Sequence, residues 1–214
     1  LADAEAALAE AARRLGLWIV FNGKADDGRG GTFNQARVLA PDGNLRGVYN
    51  KMIPASNEPN TPGTEPLLVD CDGLRVGVLI CWELWYPEVA RCLRLLGADL
   101  IVAPTGGILY ELTESWRTVL RARALENNCY VGMCVNVFGL EDGLSELAGP
   151  EGPVASRKGE GVLTAEVDLE RLRYLRETDE RIIVPKPYRA VPGLLRWLRS
   201  EVVDHQYRAA RQHA

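Results

Sequence analysis

A chain of 214 residues, 47% hydrophobic and 25% charged, is long enough for one sizeable core and has the ordinary make-up of a soluble globular protein. A formal net charge of -4 gives no general attraction to phosphate backbones or anionic lipid, and no apolar run approaches a spanning length, so neither nucleic acid nor membrane is expected as a partner. Five cysteines without paired C-x-x-C spacing indicate neither a disulfide framework nor a structural zinc site, and a reducing, cytoplasmic setting is expected.

In chain order, Ala4, Ala7, Leu8, Ala11 and Leu15 recur at helical spacing, with Gly16 where a C-terminal cap belongs. Leu17 to Phe21 reads as a short strand, and Asp26 to Gly31 as a polar loop. Thr32 to Leu39 and Leu45 to Tyr49 read as a hairpin turning at Pro41-Asp42-Gly43. Lys51 stands at its far end, followed by a segment with Pro54, Pro59, Pro62 and Gly63 that regular helix or central strand would exclude.

The stretch from Leu74 to Arg91 organises the chain. Leu74 to Ile80 is an apolar, branched run that reads as a strand buried on both faces. It ends at Cys81, and Pro87 with Glu88 then gives a helix-start signal. A side chain at such a junction is held by rigid structure near backbone N–H groups. Two readings of Cys81 stay open on position alone: a packed core thiol, or a nucleophile.

Beyond it, Pro87 to Leu96 reads as a helix stopped by Gly97, and Asp99 to Ala103 as a second buried strand opening into Pro104-Thr105-Gly106-Gly107. Strand, helix and strand with short links form a parallel crossover, and such folds build sites in the loops at the strand C-termini. Leu112, Trp116, Val119 and Leu120 mark one face of a helix running to about Asn128, with Arg121, Arg123 and Glu126 read as salt-bridged structure. Tyr130 to Phe138 and Gly161 to Val167 read as strands, and Pro192 to Ala214 as an Arg-rich amphipathic tail.

A nucleophilic thiolate needs a base or a positive neighbour. The two histidines, His205 and His213, both lie in the tail, so a cysteine–histidine pair is not expected. Lysines and carboxylates remain as candidates. Glu83 and Glu88 are acids close to Cys81, but Glu88 suits a helix N-terminus. Cys71, Cys92, Cys129 and Cys134 are read as packing residues. Trp82, Trp85 and Tyr86 suit a pocket mouth or a subunit contact.

An ordered set of segments carries a family resemblance. It comprises Tyr49-Asn50-Lys51, Glu58 followed by Pro62-Gly63, Cys81-Trp82-Glu83 with Tyr86-Pro87-Glu88 and Arg91, Gly97 to Ile101, and Arg123 to Asn127. Together these resemble the nitrilase superfamily of carbon–nitrogen hydrolases, as far as Val167-Asp168-Leu169. The resemblance implies an α/β fold, a four-layer α-β-β-α sandwich, over residues 1–190, with residues 191–214 as a helical tail. It implies Cys81 as nucleophile, Lys51 as catalytic lysine and Glu58 as a further glutamate that positions substrate. The Trp82 backbone N–H is assigned to the oxyanion site, with Thr105 and Gly106 as substrate-binding candidates beside it.

The implied reaction is hydrolysis of a small amide through a cysteine thioester, with no metal and no cofactor. Leu84 stands where true nitrilases typically continue with Asn, which favours amide over nitrile. Association as a homodimer or higher homo-oligomer through the helices after Cys81 is also implied. In the family the general-base glutamate lies upstream of the helix with which this chain opens, and no residue among the 214 fills that place; Glu5 and Glu10 fall on the polar side of the first helix. The sequence therefore reads as an N-terminally incomplete enzyme, lacking the first strand and helix of the fold and inactive as it stands. The alternatives are a catalytically silent nitrilase-like subunit, a true nitrilase, or an isochorismatase-type hydrolase, whose spacing fits poorly.

Overall fold

The computed structural model of the protein describes residues 1–108, 110–136, 143–178 and 200–211. Helix α1 (Ala2–Leu15) ends at Gly16, whose left-handed φ of 65° turns its N–H back onto the Ala12 carbonyl. Strands β1 (Ile19–Asp26), β2 (Thr32–Leu39) and β3 (Leu45–Asn50) then form an antiparallel sheet in that order. β1 runs on past the expected Phe21, because Asn22, Gly23 and Lys24 pair in register with Ala36, Gln35 and Asn34. Pairing along a whole neighbour overrides the weak strand preference of Asn and Gly.

The second sheet has six strands: β4 (Leu67–Cys71), β5 (Leu74–Val78), β6 (Leu100–Thr105), β7 (Tyr130–Val135), β8 (Leu144–Gly149) and β9 (Gly152–Lys158). β5, β6 and β7 run parallel to one another and the other pairings are antiparallel. β4 and the β8–β9 hairpin go beyond the elements expected from sequence. β4 turns into β5 at Asp72-Gly73, where φ is 55° and 91°. Two positive φ values mark the tight hairpin turn that Asp-Gly favours. Gly161 to Val167 forms no strand, contrary to expectation; no β-ladder includes it. It borders instead a cavity of about 750 Å³ whose walls include Val20 and Phe21 of β1, Val102 of β6 and Leu147 of β8.

Helix α2 (Pro87–Leu96) starts on its proline and stops at Gly97, as expected. Helix α3 (Thr113–Asn127) ends at Asn128 in the left-handed region. Both pack on the outer face of the large sheet, where Leu79, Leu84, Leu93, Ile101, Trp116 and Leu120 are buried together. Val76, Val78 and Ile80 point the other way, against Ala36, Val38 and Tyr49 of the small sheet. Side chains of one strand thus serve two cores, each fully buried leucine or isoleucine contributing about 1.5–3 kcal/mol. With α1 held against β2 by the Arg37–Glu5 pair, the layers are helix, sheet, sheet, helix, as the four-layer expectation required. Helix α4 (Leu169–Thr178) seats Leu172 on Tyr130 and Leu147. Helix α5 (Ser200–Arg211) falls within the amphipathic stretch and touches α2 through a Tyr207–Glu88 hydrogen bond. Among the described residues no helix is long and apolar enough to cross a membrane.

The proline-rich link from β3 to β4 lies close against the small sheet. The Lys51 N–H donates to the Asn34 carbonyl at 2.9 Å, and the Gly63 N–H to the Lys51 carbonyl at 2.8 Å. A Cβ on Gly63 would collide with the backbone carbonyl of Asn50, which cannot swing aside as a side chain could. We expect Gly63→Ala to destabilise the fold by about 1–3 kcal/mol, seen as a lower urea midpoint with an unchanged slope; an unaltered midpoint would show that the link has another conformation.

Candidate active site

Cys81 sits where β5 has ended and a short 3-10 helix, Cys81–Trp85, begins. Its φ of 52° is a left-handed conformation that a non-glycine residue adopts at a cost of about 1–3 kcal/mol and keeps only where neighbours enforce it. The neighbours do enforce it. Leu79, Ile80, Glu83 and Leu84 are all buried, and the Leu79 N–H donates to the Val102 carbonyl of β6 at 3.1 Å. The thiol is mostly buried, and burial pushes its pKa above the ordinary value. The backbone N–H groups of Gly106 and Trp82 and the positive charge of Lys51 pull the other way without cancelling that rise.

Lys51 is buried, its side chain 0% exposed, and its Nζ lies 2.7 Å from a Glu58 carboxylate oxygen. The same oxygen accepts the Ala55 N–H at 3.1 Å, and the other accepts the Asn34 amide at 3.4 Å. Burial acts to raise the Glu58 carboxyl, but the hydrogen bonds from Lys51 and Ala55 and the Lys51 charge outweigh it and hold it below its usual value. Glu58 is therefore ionised at neutral pH and locks the ammonium in place. Asn34 in turn accepts from Asn22 of β1 at 3.2 Å. Asn34 was not singled out in the sequence; a polar pair, Asn34-Gln35, in the middle of a buried strand is the signal that could have found it.

Glu83 is the second residue whose weight the sequence understates. Its side chain is fully buried. One carboxylate oxygen accepts the Tyr49 hydroxyl at 2.7 Å and the Met52 and Ile53 N–H groups at 2.8 and 3.1 Å; the other accepts the Ile80 N–H at 2.7 Å. Burial raises its pKa while these donors oppose the rise, and Tyr49 beside it is pushed well above the phenol range. Arg123 closes the other end of the 3-10 helix. Its guanidinium donates to the Leu84 and Trp85 carbonyls at 2.9 and 3.1 Å besides its pair with Glu126 at 2.9 Å. It is salt-bridged, as expected, and also satisfies carbonyls that a helix end leaves open.

At the edge of the site, Thr105 closes β6 with its hydroxyl donated to the Ala103 carbonyl at 3.1 Å. Trp82 is partly exposed and stacks on Trp85 at 5.7 Å between ring centroids, and Trp85 meets Trp116 edge-on at 5.7 Å. Of the cysteines read as packing residues, Cys71 and Cys129 are buried, whereas Cys92 and Cys134 are exposed. Cys92 faces outward because the buried stripe of α2 is Val89, Ala90 and Leu93. His213 and the side chain of His205 lie outside the described residues. Among the described residues, no group of three His, Cys, Asp or Glu side chains is placed to hold a metal ion.

A family model for carbon–nitrogen hydrolases matches residues 1–177. A probable nitrilase of Schizosaccharomyces pombe is 32% identical over 157 residues, a match that takes in 68% of this chain and 56% of that protein. An omega-amidase of Xenopus laevis is 28% identical over 188 residues, covering 79% of this chain and 68% of the relative. The chain thus spans a little over half to two thirds of these relatives. The crystal structure of a carbon–nitrogen hydrolase from Helicobacter pylori shares the fold, with a TM-score of 0.83 at 23% identity over 95% of this chain and 75% of that one. On these matches the chain belongs to the carbon–nitrogen hydrolase family, within the nitrilase superfamily.

Proposed function

We propose that this chain carries the nucleophile and charge-stabilising half of an amidase site acting on a small amide. The observation that carries the reading is a fully buried ammonium, Lys51, locked on Glu58 and bearing electrostatically on a thiol that stands at a strained strand end. The family supplies the reaction class, and the resemblance to an omega-amidase supports amide over nitrile.

In this reading Cys81 Sγ attacks the amide carbonyl carbon. Its proton leaves to a carboxylate base as the S–C bond forms, and the carbonyl oxygen takes negative charge near the N–H groups of Trp82 or Gly106 and near Lys51. The C–N bond then breaks, the amine leaving with that proton, and water releases the acid from the thioester. Glu58 orients Lys51 and substrate. A second carboxylate must move the protons, because a thiol raised by burial is mostly protonated at neutral pH and Glu58 is already committed to Lys51.

The nucleophile is tested by labelling and trapping. Iodoacetamide should alkylate Cys81 with a midpoint above the ordinary thiol value of about 8.5, and Lys51→Met should move that midpoint higher by removing a stabilising charge. An activated ester should leave acyl mass on Cys81; acyl mass on the exposed Cys92 or Cys134 instead would overturn the assignment.

Hydrolysis by these 214 residues alone is expected to run about 10²- to 10⁴-fold slower than by the omega-amidase relative, the range general acid–base assistance typically supplies. Ammonia release from simple amides by chain shown to be folded by circular dichroism measures it, and a comparable rate would mean that no further glutamate is needed. Failure of both acylation and hydrolysis would favour a silent subunit instead.

We also propose that two copies pair through α2 and α3, where Leu95, Leu96 and Leu125 are 57%, 50% and 43% exposed. The dimer should bury about 1,600 Å² or more in total. Sedimentation at micromolar concentration should give twice the chain mass; a monomer there would count against it.

A further inference from the structure

The amidase reading leaves Glu83 without a task, yet its carboxylate is the most heavily engaged group near the site. It lies two residues after Cys81, in the 3-10 helix that the nucleophile opens. Its four donors come from both sheets of the sandwich. Tyr49 is on β3, Met52 and Ile53 are in the link that follows, and Ile80 is at the end of the β5 run.

The spacing of those donors is informative. Tyr49, Met52 and Ile53 bracket Lys51, while Ile80 and Glu83 itself bracket Cys81. Lys51 has its own tether to Glu58, but that pair belongs wholly to the small-sheet side and says nothing about its distance from β5. Hydrophobic contact between two sheets is non-directional and fixes such a distance only loosely. Hydrogen bonds of 2.7–3.1 Å that one carboxylate accepts from donors on both sides fix it to a fraction of an ångström.

We infer that Glu83 is a positioning residue for the Lys51–Cys81 pair: its carboxylate, without touching substrate, holds the lysine-bearing link of the small sheet at the distance from the nucleophile at which the ammonium acts on the thiol. The inference deepens the amidase reading and rests on it for its purpose. Its geometry, however, can be tested without turnover.

A Gln in this place keeps the shape of Glu83 but turns an NH₂ group toward donors, so Glu83→Gln should loosen one side of the bridge. The experiment is a double-mutant cycle read out as iodoacetamide alkylation of Cys81 against pH, in chains shown by circular dichroism to be folded. Each pKa unit of upward shift lowers the alkylation rate at pH 7 by about tenfold. Lys51→Met should lower the rate by about that factor, Glu83→Gln should lower it comparably, and the double variant should fall little further.

The gentler Tyr49→Phe, which removes one donor and leaves the carboxylate intact, should give a smaller shift in the same direction and serves as the test should Glu83→Gln fail to fold. A merely structural Glu83 gives the opposite pattern. Urea stability falls in Glu83→Gln and Tyr49→Phe, the alkylation midpoint stays where it was, and Lys51→Met keeps its full effect on either background; that result would overturn the inference. If instead the cycle shows coupling while wild-type chain forms no thioester with an activated ester, the positioning stands and the amidase reading fails.

Discussion

The structure turns on one buried carboxylate. Taking the Glu83 side chain out of water has an effective cost of several kcal/mol, and removing a partner from such a group leaves a charge uncompensated. Four hydrogen bonds to a charged acceptor, each worth about 1.5–3 kcal/mol, are on the scale needed to offset that cost. Because the donors lie on both sheets, the offset is available only when the sheets are stacked in this register. A one-residue slip of β3 would turn the Tyr49 hydroxyl to the other face of the sheet and leave the carboxylate buried without it.

The same bridge bears on the backbone strain at Cys81. Cys81 holds a φ of 52° between a strand that is fixed by its neighbours and a 3-10 helix clamped at its far end by Arg123. The Ile80 N–H, which would otherwise be left open at the end of the β5 run, is taken up by Glu83. Strain of this kind persists only where the surroundings over-determine it. Here the sheet, the Glu83 carboxylate and the Arg123 guanidinium all act within five residues of the thiol, which therefore projects in one direction.

Much of this frame was legible in the residues, and the legible parts share a cause. Pro87 and Gly97 announce α2 because each acts through its own backbone, and the β5 run shows because a strand buried on both faces has no polar alternation to hide it. β4 is a near miss: Asp72-Gly73 carries the turn signal, but the five residues before it are too short to stand out alone. The 161–167 segment reads as a strand by composition and fails to be one because a strand needs a partner, and pairing is not a local property. Glu83 is opaque for the same reason. Its sequence neighbours give it an acid beside a helix start, whereas three of its four donors lie at least thirty positions away. Lys51 and Glu58 were placed by resemblance; nothing in their local pattern distinguishes a buried ion pair from a solvated one.

That ion pair and the raised thiol fit together once the order of events is considered. Glu58 offsets part of what Lys51 offers a thiolate at rest, and burial acts to keep Cys81 protonated. Attack changes this. In the proposed reaction, negative charge then appears on the former carbonyl oxygen, near backbone N–H groups and an ammonium that is already oriented and buried. Interactions that strengthen only at that moment accelerate the chemical step, whereas an ammonium that held a thiolate firmly in the ground state would add to the barrier. In the proposed reaction, then, the Glu58 tether tempers the Lys51 charge before attack, and the Glu83 bridge sets the distance over which it acts both before and after.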